Sequence, residues 1–218
     1  MERRVKLGVL VSGSGSNLQS IIDRIEAGDF SAEIVCVISN NAGAYALERA
    51  RKHNIPALHM DHRLFAGRSA YDAALVEALQ QYDVELVILA GFMRIITPIL
   101  IDAFPNAIMN IHPAILPAFP GLHAQRQALD HGAKVSGCTV HFVDAGTDTG
   151  PIIIQAVVPV LDGDTEESLS ARIQVEEHRI YPRAVQLYAE GRISVEGRRV
   201  VITPPASPSG ASLENPAA

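Results

Sequence analysis

The chain has 218 residues, 48% of them hydrophobic and 19% charged, with a formal net charge of −6 at pH 7. That size and balance fit one folded α/β domain with a substantial core and exclude a disordered chain. The acidic surplus argues against a basic nucleic-acid-binding surface, and no apolar run reaches membrane-spanning length.

Two cysteines, Cys36 and Cys138, stand in apolar runs without CxxC spacing. They read as small buried hydrophobes, not as a disulfide framework or a zinc site. Met1-Glu2-Arg3-Arg4-Val5 is basic like the start of an export signal, but the apolar run after it is short and enters Ser12-Gly13-Ser14-Gly15. A first strand and a reducing cytoplasm are therefore expected.

Residues 6–11 read as that strand, and a helix follows from Asn17 to Ala27 with Leu18, Ile21, Ile22 and Ile25 on one face. A continuous apolar strand over 34–39, a helix over 44–52, a short strand over 56–60 and a helix over 68–81 come next. Residues 86–90 form another apolar strand closed by Gly91, and a helix near Pro98–Phe104 leads to a strand ending at Asn110-Ile111-His112. Alternation of strands and helices, with strands apolar on both faces, predicts a Rossmann-like, mostly parallel sheet with helices on both faces.

The pattern then changes. Strands over 138–143 and 152–160 flank the loop Asp144–Gly150 as a hairpin. Asp164-Thr165-Glu166-Glu167 caps a long helix that can run to Gly191, with a bend or break at Pro182. A second hairpin, 193–196 and 199–202, turns at Gly197. The expected organisation is one domain over 1–203 and a Pro/Ser/Ala/Gly-rich, disordered tail over 204–218.

Ligands on such sheets sit outside the carboxyl ends of the strands. Three segments fall there: Ser12–Asn17, Gly91–Ile96 and Asn110–Pro113. In the first, small residues open the approach of an anion to backbone N–H groups at a helix start. The third glycine of the dinucleotide fingerprint is replaced by Leu18, and Ser39-Asn40-Asn41 stands where a ribose-binding acid would be. A monophosphate on Gly15, Ser16 and Asn17 is the favoured ligand, and a plain tight turn capped by Asn17 is the alternative.

In the third segment, Asn110 and His112 are two apart in a strand and point to one face, so an amide and an imidazole can both donate to one oxygen. A reaction that builds charge on a carbonyl oxygen needs such donors. Asp148, in the later loop, is a suitable partner for keeping the imidazole charged. The plain alternative is a strand-end pair that satisfies backbone groups. His59 and His62 have the spacing of a metal pair, but no third ligand is evident, and both read as surface residues.

The motifs SGSGSNL at 12–18, AGFMRII at 90–96, NIHPAILPAFPG at 110–121 and DTGPIIIQ at 148–155 resemble the phosphoribosylglycinamide formyltransferase family of folate-dependent enzymes. The likeness runs from about residue 6 to about residue 202. It implies formyl transfer from 10-formyltetrahydrofolate to the amine of glycinamide ribonucleotide, with no metal, nucleic-acid or membrane partner, in a cytoplasmic monomer or homodimer. A formyltetrahydrofolate deformylase is the nearest rival; that enzyme usually carries an extra N-terminal regulatory domain, for which this length leaves no room.

The resemblance assigns catalysis to Asn110, His112 and Asp148, and the ribonucleotide to Gly15, Ser16, Asn17 and Glu177. It assigns the folate to Arg68, Met93, Arg94, Ile95, Ile96, Asn110, Val143 and Asp144. Thr139 and His141 resemble supporting residues behind the catalytic group, although plain packing explains them almost as well. Cys138 stands where relatives more often have a hydroxyl, and Ala145-Gly146-Thr147 looks looser than its relatives, which predicts a more mobile acidic loop.

Overall fold

The computed structural model describes residues 3–28 and 30–204. In chain order its elements are β1 (Val5–Val11), α1 (Ser16–Glu26), β2 (Ala32–Ser39), α2 (Tyr45–Lys52), β3 (Ala57–His59), α3 (Arg68–Gln81), β4 (Leu86–Leu89), α4 (Pro98–Ala103) and β5 (Ile108–His112). The order continues with α5 (Ala124–Asp130), β6 (Val135–Phe142), β7 (Ile152–Pro159), α6 (Glu166–Ala189), β8 (Ile193–Glu196) and β9 (Arg199–Ile202). The tail expected to be disordered lies, past Pro204, outside the described residues.

One nine-stranded sheet runs β3-β2-β1-β4-β5-β6-β7-β9-β8. Its first five strands are parallel, as the largely apolar runs of β1, β2 and β4 lead one to expect. Beyond β5 the pairs β5–β6, β6–β7 and β8–β9 are antiparallel, and β9 joins β7 in parallel through the single pair Ile152–Arg199. The sheet is thus more mixed than the alternation alone predicts. Right-handed crossovers put α1 and α2 on one face and, after the strand order reverses at β3, α3 and α4 on the other.

The chain turns back between β1 and β4, which opens a crevice at their carboxyl ends. Ser12 N–H donates to the Gly91 carbonyl across this switch point, at 3.1 Å. The three sequence segments singled out at strand ends therefore do lie along one edge of the sheet.

Helix α6 does not break at Pro182; it is one 24-residue helix. An internal proline costs about 3 kcal/mol in an exposed helix. Here burial of Ile173, Ile180, Tyr181, Pro182, Ala184 and Val185 offsets that cost. The Tyr181 hydroxyl lies 3.0 Å from the Leu89 carbonyl and 2.9 Å from the Met109 carbonyl, so the helix is fastened to both β4 and β5. At its start Thr165 and Ser168 form a reciprocal capping box, and Asp164 turns instead to Arg172.

Two elements escaped the periodicity reading. Helix α5 is short, with only Ala124 and Ala128 buried, so it carries almost no apolar stripe. A single 3-10 turn over His62–Leu64 has no buried residue. Cys36 and Cys138 are both fully buried, as expected of small hydrophobes, and burial pushes both thiols up.

Candidate active site

Strand pairing assembles the first part of the site. Asn110 lies opposite His141 and His112 opposite Thr139 on β5 and β6, so these four polar side chains share one face. Asp148 then folds over that face from the β6–β7 loop. One carboxylate oxygen, Oδ1, lies 3.5 Å from Asn110 Nδ2 and 3.7 Å from His141 Nε2. The other, Oδ2, accepts the Gly121 N–H at 2.8 Å and sits 3.3 Å from His112 Nδ1. Asn110, His112 and Asp148, chosen from the sequence, are brought together.

The loop geometry is costly and specific. Asp148 has φ +54° and Phe119 φ +54°, a left-handed conformation uncommon for an aspartate and rarer for a phenylalanine. Gly150 passes so close to the Phe142 carbonyl that a β-carbon would overlap it, which leaves glycine as the residue that lets the loop return. Within the loop, Asp144 Oδ1 accepts from the Gly146 N–H at 3.0 Å and from the Thr149 hydroxyl at 2.6 Å. Asp144 thus bridges Gly146 and Thr149 within the loop.

His112 is 4% exposed and both ring nitrogens face acceptors: Nδ1 the carboxylate, Nε2 the Phe119 carbonyl at 2.8 Å. The contact that meets hydrogen-bond geometry is the one from Nε2–H to the Phe119 carbonyl. His112 Nε2–H is therefore committed to the 113–122 connection, and it reaches a shared oxygen with Asn110 only after that connection lets go.

His141 is more than packing. Its Nδ1 lies 2.8 Å from the Phe142 carbonyl, which puts the ring proton on Nδ1 and leaves Nε2 bare, 3.2 Å from Asn110 Nδ2. Burial first of all holds its pKa below the ordinary 6.5. A neutral His141 therefore accepts one Asn110 hydrogen and fixes the amide's orientation. The second Nδ2 hydrogen, on the long 3.5 Å contact to Asp148, is the one available to a developing oxyanion. Thr139, fully buried, donates to the Ala114 carbonyl and accepts from Leu116 N–H and Gln155 Nε2, pinning the connection behind His112.

The Ser12–Asn17 turn opens α1. Gly15 is its N-cap at φ +71°, and a β-carbon there would sit 2.6 Å from Ala46 Cβ. Asn17 does not cap the helix; no side chain does. Its Nδ2 donates to Glu177 Oε2 at 2.9 Å, and its Oδ1 is buried with no partner among the described residues. Burial raises the Glu177 carboxyl above its usual range, and the Asn17 bond only partly opposes this. Gln174, three residues earlier on α6, donates to the Ser16 hydroxyl at 3.0 Å. The sequence reading missed Gln174, although its spacing from Glu177 puts both on one helix face.

The second segment, Gly91–Ile96, is held at both ends, by Ser12 and through the following Thr97. Met93 N–H donates to the Ser12 hydroxyl at 2.9 Å, and Thr97 N–H donates to the buried Asp72 carboxylate at 2.5 Å. Between these anchors Met93 and Ile95 are 70% and 63% exposed, an apolar edge facing solvent. Ile96 packs against the core, and the Arg94 guanidinium stands over the Tyr71 ring at 5.3 Å. Arg68 is exposed at the start of α3, and Val143 is half-buried beside the acidic loop. Asp72, a buried acid inside a helix, had no signal in the sequence.

His59 is exposed, but His62 is half-buried and edge-on to Tyr71, which corrects the reading of both as surface residues. Among the described residues no group of three or more His, Cys, Asp or Glu side chains is arranged to hold a metal ion, and no helix is long and apolar enough to cross a membrane.

Comparison with known proteins fits this geometry. A family model described as "Formyl transferase" matches residues 5–185. A solved structure of glycinamide ribonucleotide transformylase 1 from Symbiobacterium toebii is 60% identical, with a TM-score of 0.90 over 91% of this chain and 94% of that one. The phosphoribosylglycinamide formyltransferase of Escherichia coli (strain K12) is 44% identical over 187 residues, covering 86% of this chain and 88% of that protein. A trifunctional purine biosynthetic protein adenosine-3 of Drosophila pseudoobscura pseudoobscura is 50% identical over 192 residues; these are 87% of this chain but only 14% of that much longer protein. With the family model matching residues 5–185 and relatives 60% and 44% identical over most of their length, this chain belongs to the formyl transferase family.

Proposed function

We propose that this protein moves the formyl group of 10-formyltetrahydrofolate to the amine of glycinamide ribonucleotide, a step of purine biosynthesis. The observation that carries the reading is the Asn110–His112–Asp148 cluster beside an anion-holding turn, in a chain 60% identical to a glycinamide ribonucleotide transformylase. In the reaction the glycinamide nitrogen bonds to the formyl carbon and the bond from that carbon to N10 breaks. One proton leaves the attacking amine and one arrives at N10.

Asn110 stabilises the oxyanion through Nδ2, a contribution of about 3 kcal/mol, or ~10²–10³ in rate, for one such donor. His112 adds positive charge beside it and donates once Nε2–H leaves the Phe119 carbonyl. Asp148 balances the imidazolium and relays the amine proton through water toward N10. Neutral His141 holds the Asn110 amide in its donating orientation.

The ribonucleotide phosphate rests on Gly15, Ser16 and Asn17, with Gln174 behind Ser16, and Glu177 accepts from the ribose hydroxyls. The folate covers Met93 and Ile95; its ring is read by backbone groups of Arg94 and Ile96 and bounded by Val143 and Asp144, and Arg68 meets its glutamate carboxylate. Residues 1–203 act as one domain, in the cytoplasm, as a monomer or homodimer.

The test is absorbance of the purified protein with 10-formyl-5,8-dideazafolate, with and without glycinamide ribonucleotide. Deformylation that depends on the ribonucleotide and yields its formylated product is expected. Release of the folate at the same rate without any amine acceptor overturns the reading in favour of hydrolysis.

A further inference from the structure

Ser12 closes β1 at the switch point, and all its hydrogen-bonding groups are engaged. Its N–H donates to the Gly91 carbonyl at 3.1 Å, and its carbonyl accepts from Asn41 Nδ2 at 3.4 Å. Its hydroxyl donates to Asn40 Oδ1 at 2.6 Å and accepts the Met93 N–H at 2.9 Å. One small side chain thus joins three strand-end loops: the anion turn in which it stands, the Ser39–Asn41 turn after β2, and the Gly91–Thr97 segment after β4.

Two of those loops serve different substrates in the function proposed above, on which the inference rests. The anion turn begins three residues before Gly15, and Met93 is the first exposed apolar residue of the folate edge. We propose that Ser12 is a positioning residue that couples the two substrate sites, so that ribonucleotide seated on the anion turn sets the folate segment in its binding geometry. The physical reason is direct. The Met93 amide has its position fixed by a hydroxyl that is itself fixed by Asn40, so the anion turn and the folate edge move as one body. Asp72 holds only the far end of the same segment, through Thr97, and touches nothing of the anion turn.

Coupling of this kind is reciprocal and is typically about 5- to 150-fold between two ligands. The experiment is calorimetric titration of the intact protein with 5,8-dideazafolate, which carries no formyl group to transfer, in the absence and presence of saturating glycinamide ribonucleotide, and the reverse titration. In the unaltered protein each ligand tightens the other by at least about fivefold. In Ser12→Ala that factor falls to within about twofold of unity, and Ser12→Thr, which keeps the hydroxyl, restores it. In Asp72→Asn the folate binds more weakly both with and without ribonucleotide, and the factor persists.

A merely structural Ser12 would weaken both binary affinities and leave their mutual factor intact, which would overturn the proposal. So would loss of the factor in Asp72→Asn. A protein that turns over both substrates but shows no mutual tightening refutes the coupling and leaves the proposed function standing. Failure to bind either ligand overturns both.

Discussion

The two halves of the crevice are built on opposite plans. On the side proposed for the ribonucleotide the side chains are paired with one another, Asn17 Nδ2 with Glu177 and Ser16 with Gln174, under a glycine that admits nothing larger, and only Asn17 Oδ1 is left without a partner among the described residues. On the side proposed for the folate the anchors are backbone groups at the ends of a segment, which presents bare apolar side chains to water. In the proposed function the first half would gain affinity from preorganisation and tolerate little change. The second would gain it from covering apolar area when ligand arrives and tolerate more.

Substitution at the junction of the halves has the largest expected effect. Asn110→Ala and Asp148→Asn should each lower kcat by about 10²–10³, with KM for both substrates changed less than about threefold, as removal of a transition-state donor demands. Steady-state kinetics decides it; a raised KM at unchanged kcat would make these residues binders only.

On the preorganised side, Gly15→Val should raise KM for the ribonucleotide more than about tenfold and lower stability by roughly 1–2 kcal/mol, because φ +71° and the Ala46 contact both resist a β-carbon. A variant with ribonucleotide KM intact would remove the anion from this turn.

The titrating groups of the two walls of the crevice pull in opposite directions. Glu177 has its carboxyl pKa raised by burial, so its contribution to stability is complete below its unfolded value and is lost as pH rises through the folded one. Glu177→Gln should therefore gain thermal stability over the parent, and the gain should grow from pH 5 to pH 8. An equal shift at both pH values refutes the buried-charge explanation.

His141 has its pKa lowered, so its contribution is present above 6.5 and is lost as pH falls through the folded value. His141→Gln should flatten the acid limb of the stability profile. A melting curve series whose acid limb keeps the parent's slope would place the titration elsewhere.

The smallest effects belong to the open side. Met93→Ser and Ile95→Ser should raise folate KM a few-fold each and leave stability within about 0.5 kcal/mol, since both side chains already stand in water. A comparable change in ribonucleotide KM alone would assign this edge to the wrong substrate.

Much of this was legible in the amino-acid order. Helix 68–81 and the hairpin strands 193–196 and 199–202 agree with the structure to the residue, because their apolar spacing and bounding glycines leave one solution. The Asn110/His112 alternation predicted a shared face, and the strand supplies it. Other features depend on contacts between distant residues. That His112 spends Nε2 on a carbonyl seven residues on, that Asp72 is buried to hold Thr97, and that Ser12 joins three loops are pairings with no local pattern. Pro182 misled for the same reason: its local penalty is overridden by what α6 packs against.

The shared proton of Tyr181 has a practical corollary. Because that phenol bonds to carbonyls of two adjacent strands at once, it ties the helix that carries Glu177 to the strand that carries Asn110. If the acceptor lies between these two residues as proposed, its length is matched to a spacing that the helix is not free to adjust. Redesign for a different amine would have to begin by replacing Tyr181 and resetting the span.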